Sequence, residues 1–350
     1  MKILFGVFDW GLGHATRDIP LISELSESNE VHIISTGGAL RILKNHFRDR
    51  CKYHDVPSVY PPYTSTRFFQ AKFTVCIPKM MENLRSARRK AREIIGGGFE
   101  KVISDCRYDV YDRTDNSYLI NHQLRFKTPF GAERIFERWL ASRMKQYRYV
   151  IVPDFKERSL SGKLSHNLRY VSRDRIKYIG ILSQMKRLNI DEDIECFVSL
   201  SGPEPQRTIL GRKIISQANH IAGRIVVAGG NPDNESRKFF GNVEFYGFLG
   251  ARQQENMMNR AKFILARAGY TTVMELAELN KKNVLLVPTP GQTEQEYLAD
   301  YYEGEKYFHH ISQYRLALGR DIEKSKGFRG FDPTWRTEES IREFIRVIKS

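Results

Sequence analysis

The sequence predicts an α/β protein built from two doubly wound parallel sheets that face one another across a cleft. Short apolar runs, each closed by a polar or glycine turn and followed by a helix-period stretch, occur in two consecutive series. The length of 350 residues is about twice that of an ordinary domain. Composition agrees: 41% hydrophobic residues, 28% charged residues and a mean hydropathy of −0.48 are enough for real cores. A disordered or disulfide-stapled chain is thereby excluded. No apolar run approaches the ~20 residues of a bilayer span, and the first is too short and wrongly flanked for a signal peptide. Cys51, Cys76, Cys106 and Cys196 lie far apart without a CxxC pair. They read as reduced thiols of a cytoplasmic protein, with neither a zinc site nor a disulfide frame.

The first series opens with Lys2–Phe8, a near-continuous apolar run typical of a buried parallel strand. The turn Gly11-Leu12-Gly13-His14 follows, then a helical stretch carrying Ile19, Leu21, Ile22 and Leu25. Val31–Ser35 is a second strand, with a helix after it through Leu40 and Leu43. Residues 60–98 interrupt the pattern. It resumes at Lys101–Ser104 before Asp105, at Tyr118–Asn121 before His122-Gln123, and at Tyr149–Val152 before Pro153-Asp154. Lys177–Leu182 reads as a short strand running into a linker, which places the N-terminal domain at 1–180. The second series comprises Cys196–Leu200, Ile225–Ala228, Val243–Tyr246, Phe263–Ala266 and Val284–Val287. It forms a second Rossmann-like domain at 181–330. In such sheets ligands bind where the carboxyl ends of the strands point.

The first glycine turn begins like a dinucleotide fingerprint and fails as one. Thr16 stands where the third glycine belongs, and the second strand ends Ile34-Ser35-Thr36 without the acid that would hold a ribose. Nicotinamide and flavin are therefore not expected. A helix start remains, with free backbone N–H groups, His14 at its mouth and Arg17 one turn on, suited to a phosphate or a developing negative charge. A lone histidine at a turn is ordinarily a packing residue. Its place at a strand's carboxyl end gives the general-base reading equal weight.

The strongest signal is Phe263–Asp300. A strand runs into Arg267-Ala268-Gly269, then a helix bearing Thr272 and Glu275, then a strand ending at Pro288 and a helix with Gln295 and Glu296. A helix opened by glycine receives a diphosphate without a metal, and a carboxylate about two turns in can accept hydrogen bonds from ribose hydroxyls. Each residue alone has a bland explanation as a turn or a solvated helix position; their joint occurrence after well-placed strands does not. This stretch resembles the donor-binding motif of the GT-B glycosyltransferases, in particular their MurG-like branch, at Arg267, Gly269, Thr272, Glu275, Pro288, Gln295 and Tyr297. The Gly13-His14 turn resembles that family's N-terminal glycine-rich loop, Ser199–Gly202 its second glycine-serine loop, and His122-Gln123 its His-Glu-Gln element.

The resemblance implies GT-B architecture with an interdomain cleft, and a C-terminal helix, 331–350, that crosses back onto the N-terminal domain. It implies a nucleotide-sugar donor held by the second domain. Glu275 would bind the ribose, and Ser201 and Gly202 with the Gly269 turn would hold the diphosphate. Phe248 or Leu249 would lie against the base, and Gln295 would touch the sugar. The chain departs from MurG at Glu296, at Ala299 and in the loop Ser201-Gly202-Pro203-Glu204-Pro205, which bears on the sugar more than on the nucleotide.

Charge is one-sided. Of a net +15, residues 1–180 carry 32 basic and 19 acidic side chains, and 181–350 carry 24 and 22. The basic half therefore expects an anionic partner. Within 60–98, Met80, Leu84, Ala87, Ala91 and Ile94 form a helical stripe edged by Arg85, Arg88, Arg89 and Arg92, after an aromatic loop from Tyr60 to Phe73. The stripe either packs on the core or meets an anionic membrane surface, where a polyprenyl-phosphate-linked acceptor would be found. Nucleic acid competes for the same charge but ranks lower, because the sequence has no zinc finger, RNP-type aromatic strand or helix-turn-helix signature. His309-His310 have no metal-ligand spacing and read as structural.

The sequence thus predicts a metal-independent inverting glycosyltransferase using a nucleoside-diphosphate donor, a UDP-sugar of the HexNAc type. The acceptor carries a hydroxyl and is lipid-linked, and the role is cell-surface glycan synthesis. His14 or Asp105 is the base, with Asp105 alternatively orienting the histidine. Gly13, Arg17, His122 and Gln123 face the acceptor or its phosphate. No cofactor beyond the co-substrate is expected, and the location is cytoplasmic, peripheral at the inner face of the membrane. The alternatives are a sugar-nucleotide epimerase of the same fold and a non-catalytic adaptor for anionic surfaces.

Overall fold

The computed structural model describes residues 1–58, 69–112, 115–125 and 133–350, with side chains except at 69–78, 80 and 220. The chain forms two compact units. Among the described residues, the first holds 1–58, 70–112, 115–125, 133–184 and 334–350, and the second holds Phe69 and 185–333.

The first unit is a seven-stranded, wholly parallel sheet in the order β3-β2-β1-β4-β5-β6-β7. Its strands are β1 (Lys2–Val7), β2 (Glu30–Ser35), β3 (Cys51–Asp55), β4 (Lys101–Asp105), β5 (Ser117–Ile120), β6 (Tyr149–Val152) and β7 (Ile176–Tyr178). The helices are α1 (Gly13–Ser26), α2 (Gly37–Phe47), α3 (Phe69–Ile95) and α4 (Glu133–Met144). β1 reads as an unbroken apolar run because both its faces are covered, and Ile3, Leu4, Phe5 and Val7 are all fully buried. The final helix of the chain, α10 (Thr337–Lys349), also lies in this unit. It packs on α1, and the Tyr118 hydroxyl donates to Ile348 O at 3.1 Å.

The second unit repeats the architecture with one reversed edge. Its order is β10-β11-β9-β8-β12-β13-β14, all parallel except the β10–β11 hairpin. The strands are β8 (Ile194–Ser199), β9 (Ile225–Ala228), β10 (Arg237–Phe240), β11 (Val243–Tyr246), β12 (Ala261–Ala266), β13 (Val284–Leu286) and β14 (His309–His310). The helices are α5 (Gln206–Gln217), α6 (Ala251–Arg260), α7 (Tyr270–Glu278), α8 (Thr293–Gly304) and α9 (Leu318–Ser325). Leu210 and Ile214 of α5 and Leu318 of α9 close one core over Cys196, Val198, Val227, Leu265 and Leu285.

Both predicted series of parallel strands are present. The sequence reading misses β3, β10 and β14. Cys-Lys-Tyr-His-Asp and Arg-Lys-Phe-Phe are edge or near-edge strands without a long apolar run, and His309-His310 is a two-residue strand.

Candidate active site

The first site forms where the N-terminal sheet reverses its strand order, between β1 and β4. Parallel neighbours place their carboxyl ends together: Val7 pairs with Asp105, and Asp105 with Ile120. The turn after β1, the last residue of β4 and the turn after β5 therefore deliver His14, Asp105 and His122 to one place.

His14 Nδ1 lies 2.6 Å from Asp105 Oδ2, with the imidazole side chain 17% exposed and the carboxylate fully buried. An ionised carboxylate only accepts, so Nδ1 carries the proton and Nε2 keeps its lone pair. Arg17, one turn along α1, donates to Asp105 Oδ1 and, through Nη1, to His122 Nδ1 at 3.0 Å. Its Nη2 is also 2.9 Å from His14 Nδ1, but a nitrogen that donates to Asp105 has no lone pair left to accept. The ring of Phe8 meets His14 edge-on at 5.3 Å.

Burial pushes His14 below the usual imidazole range, and Arg17 adds to this against the opposing pull of Asp105. Burial alone would raise Asp105, yet Arg17 and His14 outweigh it and hold the carboxyl well below its ordinary range. The arrangement is a neutral, oriented imidazole backed by a fixed negative charge, which is what a general base requires.

Arg17 is only 1% exposed, so it is not the acceptor or phosphate ligand the sequence reading makes it. Its guanidinium belongs to the support of the dyad. Sequence reasoning also misses Asp18, fully buried on the same helix beside Asp105. Burial and the nearby Asp105 raise Asp18 well above the carboxylate range, so it is protonated. The signal was available: His14, Arg17 and Asp18 stand at i, i+3 and i+4, one face of a helix. Gln123 donates its backbone N–H to Asn121 Oδ1 at 2.7 Å, and Gly13 starts the helix that presents His14.

Among the described residues, His14, Asp105 and Cys106 bring one donor atom each within 4.8 Å of one another. The Arg17 guanidinium stands among them, bonded to Asp105 and 3.9 Å from Cys106 Sγ, so the place for a cation already holds one. Burial also pushes the Cys106 thiol up and keeps it protonated, a poor ligand.

The second site forms at the corresponding reversal of the C-terminal sheet, where β8 meets β12. The loops after β8, β12 and β13 are neighbours there, because Ser199 pairs with Ala266 and Ala266 with Leu286. They bring together Ser201-Gly202, Gly269 and the Pro288–Gly291 loop. Gly202 sits at φ +92°, where a Cβ would come 3.2 Å from Thr289 Oγ1. Gly269 caps α7 with no side chain over the helix start. Glu275, on the second turn of α7, is 7% exposed, and its carboxyl makes no hydrogen bond among the described residues. Burial raises its carboxyl to about 8. Thr272 lies between the two on the same helix and is half-buried.

Several predicted donor contacts are redirected. Arg267 is 1% exposed and donates to the carbonyls of Ser201, Gln206, Val287 and Pro288, at 3.4, 2.9, 3.2 and 3.2 Å. Burial lowers it to about 10. It ties the loops together from beneath rather than reaching a ligand. Gln295 Oε1 accepts from Thr289 N at 2.8 Å, and Glu296 Oε1 from Gly291 N at 3.0 Å, so both brace the Pro288–Gly291 loop. The Gln295 amide nitrogen is left as a donor. Leu249 is buried at 4% exposure and cannot lie against a base, whereas Phe248 is 37% exposed.

The basic helix α3 is also re-read. Ala87 and Ala91 belong to the core cluster with Leu4, Ile34, Val56 and Val102, and Ile94 packs against it. This part of the stripe faces inward, since the sheet needs a cover. Arg88 is drawn in with it, its guanidinium 3.5 Å from the Tyr111 ring centre and donating to Tyr111 O at 2.5 Å. Arg85, Arg89 and Arg92 are exposed. The aromatic loop through Phe68 lies outside the described residues, as do the side chains of Phe69, Phe73 and Met80.

Residues 209–325 match the glycosyltransferase family 28 C-terminal domain. No curated protein matches the sequence. Among solved structures, the chain is similar to the glycotransferase of kitacinnamycin, at 12% identity over 99% of this chain and 97% of that one, with a TM-score of 0.65. Spinosyn rhamnosyltransferase SpnG complexed with thymidine diphosphate is 10% identical over the whole of both chains, with a TM-score of 0.62. MurG of Acinetobacter baumannii is 11% identical over 99% and 98%, with a TM-score of 0.55. The chain thus has the GT-B fold, with a glycosyltransferase domain in its second unit.

Proposed function

We propose that this chain transfers a sugar from a nucleoside diphosphate to a hydroxyl acceptor, with inversion and without a metal. Its glycosyltransferase family 28 C-terminal domain and GT-B fold are the premise. The observation that carries the reading is Glu275: a buried carboxyl without a hydrogen-bond partner among the described residues, beside a helix start capped by glycine. A buried acid of this kind is costly unless a ligand supplies its partners, and paired ribose hydroxyls do so. The helix start at Gly269 and the Ser201-Gly202 turn then receive the diphosphate and stabilise it as it departs. Phe248 lies against the base, and the Gln295 amide reaches the sugar. His14 takes the proton of the attacking hydroxyl, and His122 and Gln123 line the acceptor side. The donor is a UDP-sugar of the HexNAc type, as in the MurG-like branch that the sequence resembles.

Calorimetric titration with UDP and dTDP tests this. Glu275→Ala weakens the preferred nucleotide roughly tenfold or more, the equivalent of one or two charge-assisted hydrogen bonds. Unchanged affinity removes Glu275 from the ribose. Conversion of the donor without any acceptor would instead favour the epimerase reading.

We also propose an anionic membrane surface as partner, carrying a lipid-linked phosphorylated acceptor for cell-surface glycan synthesis. Register puts Leu4, Val102, Leu119 and Val150 on one face of the N-terminal sheet, so α3 and α4 cover the same side. The outer face of α4 exposes Ile135 at 73% and Trp139 at 40%, with Arg134, Arg138 and Lys145 exposed around them. An apolar pair in a cationic rim suits the headgroup boundary of a bilayer. The protein should co-sediment with phosphatidylglycerol vesicles and not with phosphatidylcholine vesicles. Ile135→Ser/Trp139→Ser should lower the bound fraction several-fold; equal binding by the variant rules α4 out.

A further inference from the structure

The C-terminal unit holds a groove that the reading above leaves unused. Doubly wound sheets cover each face with crossover helices, but the β10–β11 edge is a hairpin and brings no helix of its own. The sheet face beside α5 is therefore open over its last two strands. The opening is a groove of about 500 Å³, within the ordinary range for small-molecule sites. Leu200, Ile215, Phe240 and Phe245 supply an apolar surface. Lys238 pairs with Phe245 and Phe240 with Val243, so register aims Lys238 and Phe240 toward the same face. Phe240 is 44% exposed. Gly211 of α5 keeps the groove deep, because a Cβ there would come 2.9 Å from Leu200 Cδ1.

Arg212 of α5 and Lys238 of β10 both line the groove. Both are exposed, and neither forms an ion pair or hydrogen bond among the described residues. Arg207, a third cation lining the groove, pairs with Glu204. Arg207 also donates to Gly230 O at 2.7 Å and closes one end. Thr208, Asn231, Asn234 and Ser236 add a polar rim.

We propose that this groove is a second ligand site, for a phosphate monoester with a short alkyl or aryl body. The phosphate sits between Arg212 and Lys238, and the body lies on Phe240 and Phe245. Two unpaired cations lining one groove with exposed aromatic surface complement that combination of charge and apolar area. The site is distinct from the one at Gly269 and Glu275, and it stands whether or not the donor reading does.

Calorimetric titration of the whole chain with hexyl phosphate tests the assignment, with inorganic phosphate and hexanol as half-probes. Hexyl phosphate should bind more tightly than either half-probe. Arg212→Gln/Lys238→Gln should weaken it roughly tenfold or more, and Phe240→Ser several-fold. All three positions are exposed, so the variants should keep the wild-type unfolding midpoint. UDP and dTDP at saturation should leave hexyl phosphate binding unchanged. Absence of binding, indifference to both variants, or displacement by the nucleotides would overturn the proposal.

Discussion

Replacing His14 by alanine should lower turnover by roughly 10²–10⁴, the usual contribution of a positioned general base, while leaving nucleotide affinity unchanged. Release of nucleoside diphosphate from UDP- or dTDP-sugars measures it. The expectation rests on the neutral ring with its Nδ1 proton directed at Asp105, 2.6 Å away, which leaves the lone pair on Nε2. Because burial holds His14 below the ordinary imidazole range, the acidic limb of the rate profile should fall below pH ~6.5. Asp105→Asn is the informative companion. The amide keeps the shape but can offer an N–H where the carboxylate only accepted, so the wrong ring nitrogen is protonated. A loss of similar size is expected, on the order of 10³–10⁴ where such orienting acids have been changed. Full turnover in His14→Ala would remove the histidine from the chemistry.

Replacing Arg17 by methionine should destabilise the N-terminal unit by about 3–5 kcal/mol, the cost of leaving a buried charge without its partner. Arg17 and Asp105 are both essentially inaccessible, and the guanidinium also holds His122. Burial on its own would lower the arginine, but Asp105 keeps it firmly charged. Lysine should rescue poorly, since one ammonium cannot reproduce the planar fork that meets a carboxylate and an imidazole together. Arg17→Met/Asp105→Asn should recover part of the loss, because the uncompensated charge goes with the second change. Urea unfolding followed by far-UV circular dichroism reads the difference. An unaltered midpoint in Arg17→Met would mean that the pair contributes nothing to the fold.

The two predictions show how differently the parts of the site were visible. His14 and Asp105 announce themselves in the sequence because Asp105 ends one apolar strand and His14 follows the turn after another, and in a parallel sheet strand ends converge. Glu275 is equally legible from its spacing after Gly269. Arg17 and Arg267 read as ligand-seeking cations, since nothing local indicates that they are buried. Their partners are remote: Asp105 is 88 residues from Arg17, and the carbonyls that hold Arg267 come from residues 201, 206, 287 and 288. Phe248 and Leu249 are adjacent and similar in sequence, and packing alone makes one a surface residue and the other core.

By itself the sequence determined that this chain makes two predominantly parallel sheets, and where the loops at their strand ends fall. Apolar runs of strand length between turns have few ways to be buried, and the strand ends follow from them. Tertiary structure decided which charges are buried. Burial depends on what packs over a side chain from far along the chain, and a stripe such as Ala87-Ala91-Ile94 looks the same in sequence whether it covers a sheet or a membrane. The open groove beside α5 is of the same kind. It exists because one edge of the second sheet closes with a hairpin where the rest is wound with helices, a fact that no local pattern in Arg237–Phe240 discloses.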